Sequence, residues 1–209
     1  MGTVSAGATV SLDGYIAGPE DTGFDLLFKW YGAGDVLVPM PHKSPGVPES
    51  TVSPQTAELM KREMAGWGAL VVGRHLYDLT SAWGGRHPLD VPTVVLTHKP
   101  PSDRPRADEN FVFVTDGIEA AIGKAREIAG DKNVAVNSGQ MARQALEAGL
   151  LEEIGFDLVP VILGAGTRFF AGLEHMPMEL EAPYLVVEGI GVTHLRYRLN
   201  TATIPTAGR

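Results

Sequence analysis

The chain has 209 residues, 44% of them hydrophobic and 20% charged, enough to bury one sizeable core. Seventeen Lys and Arg against 25 Asp and Glu leave a formal net charge of −8, which argues against nucleic acid or an anionic membrane surface as the main partner. There is no cysteine for a disulfide, a thiolate nucleophile or a Cys-based zinc site, the first basic residue is Lys29, and no apolar run nears ~20 residues, so a soluble, cytoplasmic protein is expected.

Small and β-branched residues over 3–10 predict a first strand, and Gly14 and Gly18-Pro19 mark turns around Tyr15 and Ile16. Residues 25–31, DLLFKWY, predict a short helix with Leu26, Leu27, Trp30 and Tyr31 on one face. Asp25 in its first turn suits the helix dipole; it is the first acid to consider for substrate contact, with capping as the plainer role. The segment 39–54 holds five prolines in sixteen residues and predicts an irregular surface loop, either a lid over the site or a dimer contact. Ser53 and Pro54 open the next helix as N-cap and first residue, and it runs through Leu59, Met60, Glu63 and Met64 to a break at Gly66-Trp67-Gly68. A buried strand at 69–72 leads into Gly73-Arg74-His75-Leu76-Tyr77-Asp78, where a glycine and a guanidinium meet at a strand end. The planar fork of the arginine suits a phosphate. A third strand, 94–97, ends in the basic residues His98 and Lys99.

A short strand at 111–114 and a helix at 118–129, with Ile118, Ala121, Ile122, Ala125 and Ile128 inward, precede the segment around which the rest is arranged. Residues 133–136 read as a strand and Asn137-Ser138-Gly139 as a capping turn. A helix over 140–148 buries Met141, Ala142, Ala145 and Leu146, with Gly149 past its C-terminus. Ile154, Phe156 and Leu158 then form a strand that merges into the apolar run 159–163, either bent at Pro160 or bulged beside it. Such a βαβ unit puts its turn at the carboxyl end of the first strand, where these sheets bind ligands. The free N–H groups of the first helical turn make 137–140 a candidate pyrophosphate seat, with an ordinary capped helix as the alternative. After a glycine loop at 164–168, residues 184–188 and 192–199 predict an antiparallel hairpin at the edge of an otherwise largely parallel sheet. The tail 201–209 has no reason to be ordered. Three strand ends thus carry polar or basic groups, no acid follows them to read a ribose hydroxyl, and the balance favours NADPH. The six histidines include no HExxH, and Gly-x-Ser-x-Gly is absent, so neither a metal site nor a hydrolase nucleophile is expected. Trp83, beside two glycines, is a candidate face for a planar substrate.

The stretches SLDGYIAGP, VVGRHLYD, VVLTHKP, NSGQMARQALEAGLLEEI and LVPVILGAGTRFF, in this order, resemble the dihydrofolate-reductase-like superfamily. More narrowly, they are similar to the reductase domain of the bifunctional riboflavin-biosynthesis deaminase/reductase, over about residues 4–199. The resemblance implies a three-layer α/β fold with a central mixed, mostly parallel sheet and a C-terminal antiparallel hairpin, in one domain spanning 1–209. It also implies an NADPH-dependent reductase acting on a C=N or C=O carbon of a small heterocyclic substrate, and a homodimer. On this resemblance Thr9 and Ile16 meet the nicotinamide carboxamide through their backbone. Gly73, Arg74, His75 and Leu76 form a phosphate-binding junction, and Leu96, Thr97, His98 and Lys99 the adenosine-side strand end. Asn137, Ser138, Gly139, Gln140 and Met141 form the glycine-rich turn, and Leu163 and Gly164 belong to a later loop. Asp25 in DLLFK resembles the pterin-binding Asp of dihydrofolate reductases and is the expected proton donor, with water polarised near it as the alternative. Asp13 and Trp83 are the expected substrate contacts. Two departures stand out. The turn opens with Asn137-Ser138 where paired glycines are usual, and Leu76-Tyr77-Asp78-Leu79-Thr80 replaces the threonine and paired-Asp pattern of the riboflavin-type reductases. A reductase of 5-amino-6-(5-phosphoribosylamino)uracil and a dimeric nucleotide-binding protein without turnover are the alternatives.

Overall fold

Alternating small and β-branched residues place successive side chains on opposite faces of a strand, and the architecture follows from which face each helix covers. The structure is a computed structural model and describes residues 2–45, 47, 49–102, 110–170, 172–174 and 176–199. In chain order the elements are β1 (Val4–Ser11), β2 (Tyr15–Ala17), α1 (Phe24–Leu27), β3 (Val36–Val38), β4 (Ser50–Val52), α2 (Pro54–Gly66), β5 (Trp67–Gly73), α3 (Arg74–Leu79) and β6 (Thr93–Leu96). They continue with β7 (Phe111–Val114), α4 (Gly117–Ala129), β8 (Asn133–Asn137), α5 (Gln140–Glu147), β9 (Glu153–Val159), β10 (Thr167–Arg168), β11 (Leu185–Gly189) and β12 (Val192–Arg198).

An eight-stranded sheet runs in the order β11-β12-β9-β1-β8-β5-β6-β7. It is parallel from β9 to β7, and β12 and β11 add to it antiparallel. This is the mixed, mostly parallel sheet with a terminal hairpin that the sequence predicts. Val4 and Ala6 of β1, Val134 and Val136 of β8, Val71 of β5 and Ile154 of β9 pack against α4 and α5 in the largest core cluster. Each fully buried aliphatic side chain there contributes roughly 1.5–3 kcal/mol. On the opposite face the cover comes in two separate pieces. Val159 and Val192 sit with Leu27, Trp30 and Ala57, from α1, the turn that follows it, and α2. At the other end Leu70, Val72 and Val95 sit under Tyr77 of α3 and Trp83. Between the two clusters the central strand is bare: Gly7, in the middle of β1, is exposed.

Several local expectations change. The helix expected over 25–31 is two pieces, α1 and a 3₁₀ turn at Lys29–Gly32, so Leu26 is exposed while Leu27 and Trp30 are buried. The proline-rich segment 39–54 is not wholly irregular: β4 falls within it and pairs with β3, because Ser50-Thr51-Val52 lies between prolines rather than on one. Pro160 ends β9 instead of bending it, so 160–163 is loop, and Thr167–Arg168 pairs with β2. The tail 201–209 lies outside the described residues. Ser53 caps α2 as expected, accepting from the Thr56 amide. Asn137 and Ser138 do not cap α5. Its N-cap is Gly139, at φ 71°, ψ −131°, a conformation open to glycine, with no side-chain cap bond.

Candidate functional site

A cleft of about 1600 Å³ runs along the uncovered face of the sheet and out over the carboxyl ends of its parallel strands. Four of those ends meet there: Thr9 of β1, residues 73–76 at the β5–α3 junction, 96–99 beyond β6, and 137–141 at the β8–α5 junction, with Ile16 of β2 opposite. At 73–76, 96–99 and 137–141 a strand's apolar run gives way to a polar turn, which is the signal the sequence carried, whereas Thr9 lies inside β1 and was expected only from the resemblance. Leu163 and Gly164 do not line the cleft. Their amides donate to Asp13 Oδ1 at 3.1 Å and Oδ2 at 2.7 Å, and Ser11 donates to Oδ1 at 2.6 Å.

Asp13, expected to touch substrate, is therefore a clamp between the β1–β2 turn and the 160–166 loop, outside the cleft lining. The Ser11 hydroxyl, and after it the two amides, hold its pKa down at about 2 against the cost of partial desolvation. Trp83 is also outside the lining. It is buried, stacks over Phe111 at 6.5 Å and meets His87 edge-on at 4.5 Å. Asp25 is exposed in the first turn of α1 and does not face the cleft, because the short helix turns that position outward.

The cation at the β5–α3 junction is already engaged. Arg74 Nε donates to both Asp78 oxygens at 2.8 Å, and Nη1 to the Lys99 carbonyl at 3.0 Å. This fastens the β5 and β6 ends together and, among the described residues, leaves Nη2 of the fork without a partner. His75 Nε2 lies 2.9 Å from Asp21 Oδ2, joining α3 to the loop after β2; both residues line the cleft. His87, also on the lining, has its pKa pushed down to about 4 by burial.

The far end of the cleft holds the groups that sequence reasoning missed. Across the sheet, Gly7 lies in register with Asn137 on one side and Gly155 on the other, and Gly155 with Arg196 of β12. A Cβ on Gly7 would meet nothing nearer than the Gly155 carbonyl at 3.5 Å, so the protein's own packing does not require glycine there. A Cβ on Gly155, in contrast, would lie 3.0–3.2 Å from Arg196 Cδ, Nε and Cζ, so that guanidinium rests on the bare backbone of β9. Arg196 forms a two-toothed pair with Glu63 of α2, Nε to Oε1 at 2.7 Å and Nη2 to Oε2 at 3.0 Å, and also donates from Nη1 to Asp157 Oδ1 at 3.0 Å.

Asp157 is one strand from Thr9 and one from His194. His194, 1% exposed, lies with Nδ1 2.7 Å from Asp157 Oδ1 and Nε2 3.1 Å from Thr56 Oγ1. Burial opposes ionisation of Asp157, but the bond to His194 and the charge of Arg196 outweigh it and lower its pKa. Tyr31, on the wall above, has its pKa raised by burial and then by the charges of Asp157 and Glu63. Among the described residues no group of three or more His, Cys, Asp or Glu is placed to hold a metal ion, and no helix is long and apolar enough to cross a membrane.

The sheet order, the antiparallel terminal hairpin and helices on both faces define the dihydrofolate-reductase-like fold, in the form related to the reductase domain of riboflavin-biosynthesis deaminase/reductases. No protein-family model and no curated protein matches the chain. Among solved structures it is similar to a Shewanella sp. PV-4 protein provisionally named for riboflavin biosynthesis, with TM-score 0.68 and 20% identity over 95% of this chain and 99% of that one. It is similar to the Thermotoga maritima diaminohydroxyphosphoribosylaminopyrimidine deaminase/5-amino-6-(5-phosphoribosylamino)uracil reductase, with TM-score 0.59 and 12% identity over 94% of this chain and 56% of that one. This chain thus spans a little over half of that bifunctional protein. The dihydrofolate reductase of Enterococcus faecalis, complexed with NADP(H), matches with TM-score 0.53 and 15% identity over 95% and 96% of the two chains.

Proposed function

We propose that this protein is an NADPH-dependent reductase of a small, flat heterocycle. The observation that carries the reading is the continuous cleft that joins four strands to a bare patch of central sheet at Gly7. Its 1600 Å³ exceeds the roughly 300–1,000 Å³ of a pocket for one small ligand, so cofactor and acceptor fit side by side. The residues present fit a dinucleotide: the amides of the first turn of α5 form a seat for pyrophosphate, while the Gly139 amide is held by the Phe169 carbonyl at 3.1 Å. Lys99 and Arg74, whose Nη2 has no partner among the described residues, supply positive charge at the β6 end, with the exposed His98 beside them. When bound, NADPH supplies the hydride.

The chain's own residues would orient the acceptor, exclude water and manage the proton. Gly7 gives a ring direct contact with the sheet, as strand glycines do where a ligand approaches. Tyr31 and Phe28 wall the patch, and Asp157 and Arg196 border it. Likeness to a 5-amino-6-(5-phosphoribosylamino)uracil reductase supports a pyrimidine acceptor, and exposed Arg62 on the lining is the candidate for its phosphate. A cytoplasmic homodimer of one domain per chain is part of the proposal, supported by the open edge of β11, where Val186 is exposed. The test is NADPH oxidation with 7,8-dihydrofolate and with 5-amino-6-(5-phosphoribosylamino)uracil. Turnover of one of them is expected, and a protein that fails to bind NADPH at all refutes the reading.

A further inference from the structure

A buried line of hydrogen-bonding side chains crosses the molecule behind the cleft. It begins at Asp157, a residue of the cleft lining whose side chain is 20% exposed and whose Oδ1 serves both His194 and Arg196. It continues through the His194 imidazole to Thr56 Oγ1 at 3.1 Å, and from there to Ser53 Oγ at 3.1 Å. Ser53 lines a separate groove of about 550 Å³ on the outer surface, between the start of α2 and the β11–β12 turn. Ser53, Thr56 and His194 are all at least nine-tenths buried. The line has room because Gly189 has no side chain: a Cβ there would overlap Thr56 Oγ1.

Stability alone gives little reason to bury an imidazole against a carboxylate, since such a pair seldom outperforms apolar packing. We propose that this line is a proton path, in which Asp157 protonates the hydride acceptor and His194, Thr56 and Ser53 replace that proton from solvent on the far side. The proposal rests on the reductase reading above. The hydrogen-bond order permits it. With Ser53 donating to Thr56, the Thr56 hydroxyl hydrogen is free to point at Nε2, and Nδ1 then carries the hydrogen shared with Asp157. Hydride arrival at the acceptor carbon breaks the C=N or C=O π bond and leaves its nitrogen or oxygen basic. Asp157, a carboxylate at rest, first takes the Nδ1 proton as Nε2 takes the Thr56 proton, which leaves His194 in its other tautomer, and the Asp157 carboxylic acid then gives its proton to that atom. Ser53 re-protonates Thr56, and water re-protonates Ser53, so one proton and one hydride are consumed per acceptor. Arg196 and Glu63 flank Asp157 as a charge-neutral pair and Tyr31 faces it from the wall, while Trp30 packs edge-on to His194 at 5.3 Å. Asp157 is the catalytic residue of this scheme, and His194, Thr56 and Ser53 act through it.

The experiment compares exchange of the His194 ring N–H with solvent, by nitrogen-edited NMR, in the wild type and in Thr56→Val, with Ser53→Ala as a second variant. The path predicts ring exchange faster than that of the surrounding strand amides and at least about tenfold slower in Thr56→Val. A merely structural hydroxyl gives the opposite sign, because its loss loosens the ring and speeds exchange. In parallel, Asp157→Asn keeps an acceptor oxygen for His194 and Arg196. It should cut NADPH oxidation by about 10²- to 10⁴-fold with NADPH affinity within about twofold. Ring exchange no faster than the strand amides, no slowing in Thr56→Val, or full turnover by Asp157→Asn overturns the path. The exchange measurement needs no cofactor, so its failure is separate from a failure of NADPH to bind, which would overturn the reductase reading and the catalytic use of the path with it.

Discussion

Replacing Gly7 with alanine separates what the sheet needs from what the site needs. Glycine inside a strand costs roughly 0.5–1 kcal/mol relative to alanine through chain entropy, and the Gly7 backbone is not in the left-handed region that would demand it. The new methyl group would meet the Gly155 carbonyl at 3.5 Å, ordinary contact distance, and the cleft otherwise. Gly7→Ala is therefore expected to stabilise the fold by about 0.5–1 kcal/mol, or about 1–4 °C in Tm for a chain of this length. A ring lying on the bare backbone would be lifted by about 1.5 Å, the length of the added bond. Misplacement of about 1 Å costs on the order of 10²-fold in rate. The expected combination is a higher midpoint in thermal unfolding, NADPH affinity within about twofold of wild type, and turnover down about 10²-fold with the acceptor the wild type reduces. A stabilised variant with full turnover would show that the acceptor does not sit on Gly7.

Arg196→Met removes the partner of Glu63 and one of the two partners of Asp157, so urea denaturation should show a loss of about 3–5 kcal/mol, part of which Glu63→Gln in the same chain should recover. His87 has a folded pKa of about 4 against an ordinary 6.5; below pH 6.5 the unfolded chain binds a proton that the folded chain refuses, so stability should fall between pH 6.5 and 4. His87→Gln should flatten that part of the thermal-midpoint profile, and an unchanged slope there would remove His87 as the cause. Asp25→Asn is expected to leave turnover unchanged and stability within about 0.5 kcal/mol, since Asp25 is exposed and outside the cleft; a large fall in kcat would return it to the site.

The strand-end half of the cleft was legible because each junction announces itself locally. An apolar run stops at a glycine or polar turn, and residues 73–76, 96–99 and 137–141 need only their neighbours to be recognised. The other half was not legible. Asp157 sits between Phe156 and Leu158 and reads as the polar member of an alternating strand, while its partners His194 and Arg196 are 37 and 39 residues away. Arg196 and Glu63 are 133 apart. Gly7 read as one small residue among several, and only the gap between the two clusters on its face makes it a floor. Asp13 and Asp25 misled for a related reason: sequence gives a carboxylate a position but not the direction it points. Asp13 turned to the 163–164 amides, and Asp25 to solvent.

The most direct test of the account is calorimetric titration of the protein with NADPH and, separately, NADH. With Arg74 and Lys99 at the strand ends, NADPH should bind saturably at one site per chain, at least about tenfold more tightly than NADH, a difference of about 1.4 kcal/mol. No binding of either, or equal affinities for both, would contradict the assignment of this cleft.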